Sequence, residues 1–229
     1  MKKILSLIAM VCLLTASKSQ TLSRITMSDQ GSLSALSFEI DDNAILNISE
    51  TGSIIEYGYE LYKDRIEYYN RKLDPYNGRL EYYSPNDNEA YRGKVKYIGK
   101  TLITYYASYD EDALKGKMKS IGSINLEYFP SYEDKSYTGK LKTAGSTSFT
   151  YYSSFSNDAF KGKLQTVGIT AFTYYAAFDD KAYAGKIKSI GGTTYTYYSS
   201  YDFQKELRGQ MKTGSRIQVI NGIKYYLKN

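Results

Sequence analysis

One period constrains this chain more than any other feature. A unit of 23 residues recurs five times between Tyr91 and Tyr198, and YYAAFDDKAYAGKIKSIGGTTYT from Tyr174 to Thr196 is its clearest copy. Gly93, Gly116, Gly139, Gly162 and Gly185 keep the step, as do Gly99, Gly122, Gly145, Gly168 and Gly191. The aromatic doublets Tyr105-Tyr106, Tyr128-Phe129, Tyr151-Tyr152, Tyr174-Tyr175 and Tyr197-Tyr198 keep it too. A period of this length means a repeat architecture, in which each unit buries its apolar face against its neighbours.

Within a unit the pattern is that of a hairpin. Lys186-Ile187-Lys188 alternates polar and apolar, Gly191-Gly192 is a turn, and Thr193 to Tyr198 is rich in β-branched and aromatic residues. The expected fold is therefore all-β, an antiparallel meander of tandem 23-residue β-hairpins forming an extended or curved sheet. A β-solenoid is the alternative. It would stack the five equivalent lysines about 4.8 Å apart without counter-charges, and the 14-residue step from Tyr68 to Tyr82 would break its coil. By parity Phe149, Tyr151 and Phe155 share one face with Val95, Met118, Leu141, Leu164 and Ile187. Thr150 and Tyr152 share the other face with Lys94 and Lys96.

Three segments are expected. Residues 1–19 have the layout of a cleaved export signal: Lys2 and Lys3, an apolar run from Ile4 to Leu14, then small residues. The run is too short to span a bilayer, and the expected location is periplasmic or extracellular. Removing the segment takes three lysines and leaves 27 basic against 24 acidic residues, a net charge of +3 and no nucleic-acid signature. No other apolar segment is long enough for a membrane helix, and the faces lack the clean apolar band of an outer-membrane barrel. Residues 20–63 read as an irregular β segment, with Thr21–Gly31 loosely ordered. Residues 64–229 read as the array, including DRIEYY at 64–69, a type I′ turn at Asn77-Gly78, and a last array hairpin around Asn221-Gly222.

Composition narrows the chemistry. There is no His, and the one Cys, Cys12, lies within the expected signal. Imidazole catalysis, a thiol nucleophile and a disulfide framework are thus excluded from the mature chain. No catalytic residue, cofactor or metal site is expected. Glu127 and Asp134 could in principle pair as glycosidase carboxylates, but no pattern places them across a cleft.

The run Gly-Lys-apolar-Lys-Ser-apolar-Gly and the aromatic doublet after it resemble the YD repeats of bacterial RHS-type proteins. Tyr109-Asp110 and Tyr201-Asp202 keep the Tyr-Asp ending, whereas Phe155-Ser156 departs from it. The Tyr-x-Gly openings at Tyr91-Arg92-Gly93 and Tyr183-Ala184-Gly185 are also similar to MORN repeats. The resemblance covers roughly Asp64 to Tyr226 and implies a β-hairpin scaffold. It carries over no activity.

Two sets of residues are candidates for binding. Lys94, Lys117, Lys140, Lys163 and Lys186 interleave with Tyr106, Tyr152, Tyr175 and Tyr198. Such ladders could hold a glycan or a polyanion, since aromatic faces stack and Lys neutralises anions. They equally suit a soluble sheet face that resists edge pairing. Asp110-Glu111-Asp112, Glu133-Asp134, Asn157-Asp158 and Asp179-Asp180 follow the aromatics Tyr109, Tyr132, Phe155 and Phe178. They could gather calcium, but their spacing is that of turn chemistry. The expected function is an exported, non-enzymatic binding or structural module, whose partner is a glycan or another surface protein.

Overall fold

The computed structural model describes residues 20–61 and 71–228. It is nearly all β, with large antiparallel sheets of consecutive hairpin strands. The expected export signal at 1–19 and the segment DRIEYY at 64–69 lie outside the described residues. No helix among the described residues is long and apolar enough to cross a membrane.

The meander is an 11-stranded sheet from Leu80–Tyr82 to Thr193–Thr194, in which every strand pairs antiparallel with its neighbours in sequence. Thr196–Tyr197 and Met211–Thr213 then form a further two-stranded pair. The turns Gly99, Gly122, Gly145, Gly168 and Gly191 take φ from 53° to 61°, and the residue after each stays at negative φ. That is a II′ turn, whose first central position calls for Gly. Each first strand carries a bulge: between the pairs Thr104↔Ser120 and Tyr105↔Met118, Lys119 is the extra residue. The bulge lets Met118 and Ile121, three residues apart, both enter the core.

A second sheet covers the array. Its seven strands are Ile217–Ile220, Ile223–Lys228, Thr21–Ser28, Leu33–Glu39, Ile45–Ile48, Ile54–Tyr59 and Asp74–Pro75, in that spatial order. Three expectations are corrected here. Thr21–Gly31 is not loosely ordered: Thr21–Ser28 is a central strand with Ile25 and Met27 fully buried. The hairpin at Asn221-Gly222 forms, with φ of 51° and 79°, but it belongs to this cover. Its second strand pairs in parallel with the first described strand, Ile25 opposite Tyr225. Asn77-Gly78 is no hairpin turn, because neither residue takes positive φ. It passes the chain from the cover to the array, and Gly78 lies where a Cβ would meet the Tyr76 ring.

The two sheets share one core. Ile25, Met27, Leu36, Phe38, Leu46 and Ile48 of the cover pack with Met118, Leu126, Phe149, Leu164, Phe172 and Ile187 of the array. Two turns of the cover also dock on the array by hydrogen bonds. Asp29 O accepts from Ile187 N at 2.8 Å, and Glu50 O accepts from Leu141 N at 2.8 Å. Gly31 and Gly52 have no room for a side chain, since a Cβ would sit 2.2 Å from the Tyr174 ring and 2.0 Å from the Tyr128 hydroxyl.

Candidate ligand-binding face

The long connections between hairpins all leave one end of the strands, and they form a column of loops. Each loop opens after the second aromatic of a doublet and closes at the Gly-Lys pair. The closing glycine donates its N–H to the carbonyl of that aromatic, as in Gly162 N to Tyr152 O at 2.7 Å and Gly185 N to Tyr175 O at 2.8 Å. The same glycines lie against the preceding loop. A Cβ at Gly116, Gly162 or Gly185 would come within 2.7–2.8 Å of the carbonyl oxygen of Ala90, Ser136 or Ala159. With φ between 70° and 79°, these positions call for glycine on both counts.

The expected Lys and Tyr ladders are brought together, but their polar atoms are engaged within the protein. Lys94, Lys140, Lys163 and Lys186 donate to the carbonyls of Gly116, Gly162, Gly185 and Gly209, one repeat ahead. Lys117 donates to Thr51 O at 3.2 Å. All five ammonium groups lie 5.0–5.4 Å from the ring centre of the first aromatic of the doublet, Tyr105 through Tyr197. Burial pulls Lys94, Lys117 and Lys163 below the usual lysine range. Lys140 and Lys186 also pair with Glu50 and Asp29 of the cover, at 3.2 and 2.6 Å. Parity put these lysines on the outer face. The strands begin one residue later, so the first Lys belongs to the loop and turns inward over the core tyrosines.

The tyrosines are tied in the same way. Tyr106, Tyr152 and Tyr175 donate their hydroxyls to the carbonyls of Leu126, Phe172 and Tyr195 at 2.9–3.0 Å, always in the next hairpin. Tyr198 lies under Lys212, 5.5 Å from ring centre to Nζ. The first aromatics Tyr105, Tyr128, Tyr174 and Tyr197 donate to Val95, Met118, Leu164 and Ile187 within their own hairpin, at 2.8–3.0 Å. Burial pushes these four phenols upward, and that of Tyr195 up to about 12.

The acidic loop residues also have a structural task. Asn88, Glu111, Asp134, Asn157 and Asp180 stand 23 residues apart. Each accepts from the backbone N–H of Ser108, Ser131, Ser154, Ala177 or Ser200 in the following loop, at 2.6–3.0 Å. The N–H groups of Ser136 and Ser154 hold the Asp134 carboxyl well below the usual carboxylate range. Asp110 and Asp179 each cap their own loop, accepting from Ala107 N and Ala176 N at 2.6 Å. Glu127 accepts from Thr143 on the sheet surface.

What remains unengaged is a column of loop rings, one of which, Phe155, parity misplaced. Phe155 does not share the face of Phe149: its loop carries it outward, as the equivalent loops carry Tyr109, Tyr132, Phe178 and Tyr201. The five rings are 84–97% exposed. Each follows directly the residue whose N–H is held by the preceding loop, so every ring is positioned from the rung before it. Phe203 adds a sixth exposed ring in the last loop. Around Phe155 lies a shallow concavity of about 660 Å³, lined by Lys135, Ser136, Ser154 and Lys161. The sequence signal for this column is an aromatic at five of the six equivalent loop positions, Asn86 standing in the first loop, beside a variable neighbour. At the equally exposed position three residues further on, the units carry Asp112, Lys135, Asp158 and Lys181, with no preference for sign.

No protein-family model matches this chain, and no curated protein or solved structure matches it significantly.

Proposed function

We propose that this protein is an exported, non-enzymatic binding module. In this reading the covered array is a rigid scaffold, and the loop column displays a ladder of aromatic rings to an extended partner. The observation that carries the reading is the exposure of Tyr109, Tyr132, Phe155, Phe178 and Tyr201. Packing asks for no ring at these positions, and exposed large apolar side chains oppose solubility. An aromatic kept five times in such a place is best explained by contact with something outside the chain. Export rests on the signal layout of residues 1–19.

A second reading keeps the polyanion partner but moves it. A cleft of about 550 Å³ where the last array loop meets the cover is lined by Lys186, Arg208, Arg216 and Lys228, with Asp29 as the acid. Asp29 already pairs with Lys186, which leaves three cations facing the cleft without a carboxylate of their own along its lining. Retention of the chain from Gln20 to Asn229 on immobilised neutral and acidic polysaccharides, at low and physiological salt, separates the two. The ladder predicts retention that persists in salt and is lost when the five loop rings are changed to Ala. The cleft predicts retention that salt abolishes and that Arg216→Gln weakens. A folded protein retained on no matrix would refute both.

A further inference from the structure

Resting on the ladder reading, we infer that the ligand is a neutral, extended β-1,4-linked glycan lying across the loops, with one disaccharide to each repeat. The first argument is pitch. Each loop is tied to the next through the Asn88, Glu111, Asp134, Asn157 and Asp180 bonds, so the loops follow the strand pairs beneath them. Two strand spacings amount to about 9.6 Å. In an extended β-1,4-linked chain successive sugars are turned over, so a given pyranose face recurs once per disaccharide, over nearly the same length. A chain of this kind presents the same C–H face to every rung. An α-1,4-linked glucose chain, by contrast, curls and breaks the recurrence.

The second argument is the chemistry of the rungs. A ring exposed on both faces offers the flat, polarisable surface against which the C–H face of a pyranose is desolvated, and three of the five rungs add a phenol hydroxyl. In the concavity beside Phe155, Lys135 supplies a donor for sugar hydroxyls at the ring's edge, and Ser136 and Ser154, whose own protons go to Tyr152 O and Asp134, keep lone pairs that accept from them. The third argument is charge. Asp110, Glu133, Asp179 and Asp202 follow four of the rungs, whereas Lys135, Lys161 and Lys181 stand in the same loops. Over the five loops 107–116, 130–139, 153–162, 176–185 and 199–209, ten carboxylates stand against six cations, a net charge of −4 that repels an acidic polymer and opposes an anionic lipid surface. Five equivalent contacts also suit a periodic ligand better than a globular partner, whose surface does not repeat.

The test is isothermal titration of the chain from Gln20 to Asn229 with β-1,4-linked glucose and N-acetylglucosamine oligomers, from disaccharide to dodecasaccharide. α-1,4-linked glucose oligomers of the same lengths are the control. Each rung added is expected to tighten binding about fivefold, by analogy with base stacking on aromatic side chains, and the gain stops when five rungs are covered, near the decasaccharide. Phe155→Ala removes the middle rung and should weaken the decasaccharide about fivefold while leaving the disaccharide's affinity at the remaining four rungs unchanged. A length dependence that ends at one disaccharide, or that is equal for the α-linked series, overturns the inference but leaves a ladder that binds. Binding to neutral or anionic phospholipid vesicles in place of every oligosaccharide also overturns it, in favour of a membrane surface. Loss of all binding, to oligosaccharides, polysaccharide matrices and vesicles alike, overturns the ladder reading as well.

Discussion

Tyr128 and Tyr132 are four residues apart in the same repeat and have opposite surroundings. Tyr128 is buried, donates to Met118 O at 2.8 Å, and fills the space that Gly52 of the cover leaves for it. Tyr132 stands on the loop, 84% exposed. Both belong to columns that recur every 23 residues, so recurrence does not separate scaffold from contact surface. The partners of each side chain do. In the inner columns most phenol and ammonium groups are committed to backbone carbonyls of the same or the next unit, Lys117 to Thr51 O of the cover, while the Tyr151 hydroxyl is buried without a hydrogen-bond partner among the described residues. In the outer column the rings touch nothing that would need them.

The comparison is broken most forcefully at its inner member. Tyr128→Ala should destabilise the protein by about 3–5 kcal/mol, as for other large buried aromatics, read as the shift in a urea unfolding midpoint. A change below about 1 kcal/mol would mean that the inner column is not the core it is taken to be.

Next in size is the contact between array and cover. Lys186→Ala removes the ion pair with Asp29 and the bond to Gly209 O, and should cost about 2–3 kcal/mol. Lys188→Ala, two residues along on the exposed face of the strand Ile187–Ile190, should stay within about 0.5 kcal/mol. Equal effects of the two would argue that the first-lysine column is merely a solvated face.

The glycines sharpen the picture of the loops. Gly162→Ala combines a φ of 73° with a Cβ 2.7 Å from Ser136 O, so it should cost about 2–3 kcal/mol. Gly168→Ala has a φ of 53° but nothing within 4 Å, and should cost about 1 kcal/mol. Reversal of that order in unfolding titrations would show that the loops do not pack as closely as described.

The smallest effect is on acid. Asp134 is held below the usual carboxylate range by its bonds to Ser136 and Ser154. Its ionised form therefore stabilises the fold fully above the unfolded carboxylate value of about 3.9, and this is lost as pH falls through the lower folded value. Asn157 already fills the equivalent place with an amide oxygen. Asp134→Asn keeps the hydrogen bonds but not the charge, so it should lower neutral stability slightly and make unfolding below about pH 4 less steep in pH. An unaltered acid profile would refute the assignment.

Much of the array could be read in advance. The period, the hairpins, the turn at Gly191-Gly192 and the common face of Val95, Met118, Leu141, Leu164 and Ile187 all follow from local spacing, whereas the II′ type of the turns is seen only in their φ values. The cover could not be read in this way. Ile25 lies beside Tyr225, two hundred residues on, and nothing in the local pattern of Thr21–Ser28 names a parallel partner that far away. Parity failed where the strand ends. Lys117 lies one residue before its strand and Phe155 four residues after Tyr151 ends its own, and outside a strand alternation no longer says which way a side chain points. The loop column was visible as a spacing, and its acids were rightly tied to turn chemistry. Only the exposure of Phe155 and its equivalents shows that the rings beside those acids are left over.

The central claim is that the outer ladder has no part in holding the fold. It is tested most directly by thermal unfolding of the chain from Gln20 to Asn229 with Tyr109, Tyr132, Phe155, Phe178 and Tyr201 all changed to Ser. The account predicts a melting temperature within about 2 °C of the unaltered protein, since none of the five rings is buried. A fall of about 10 °C or more would make the loop rings part of the scaffold and contradict it.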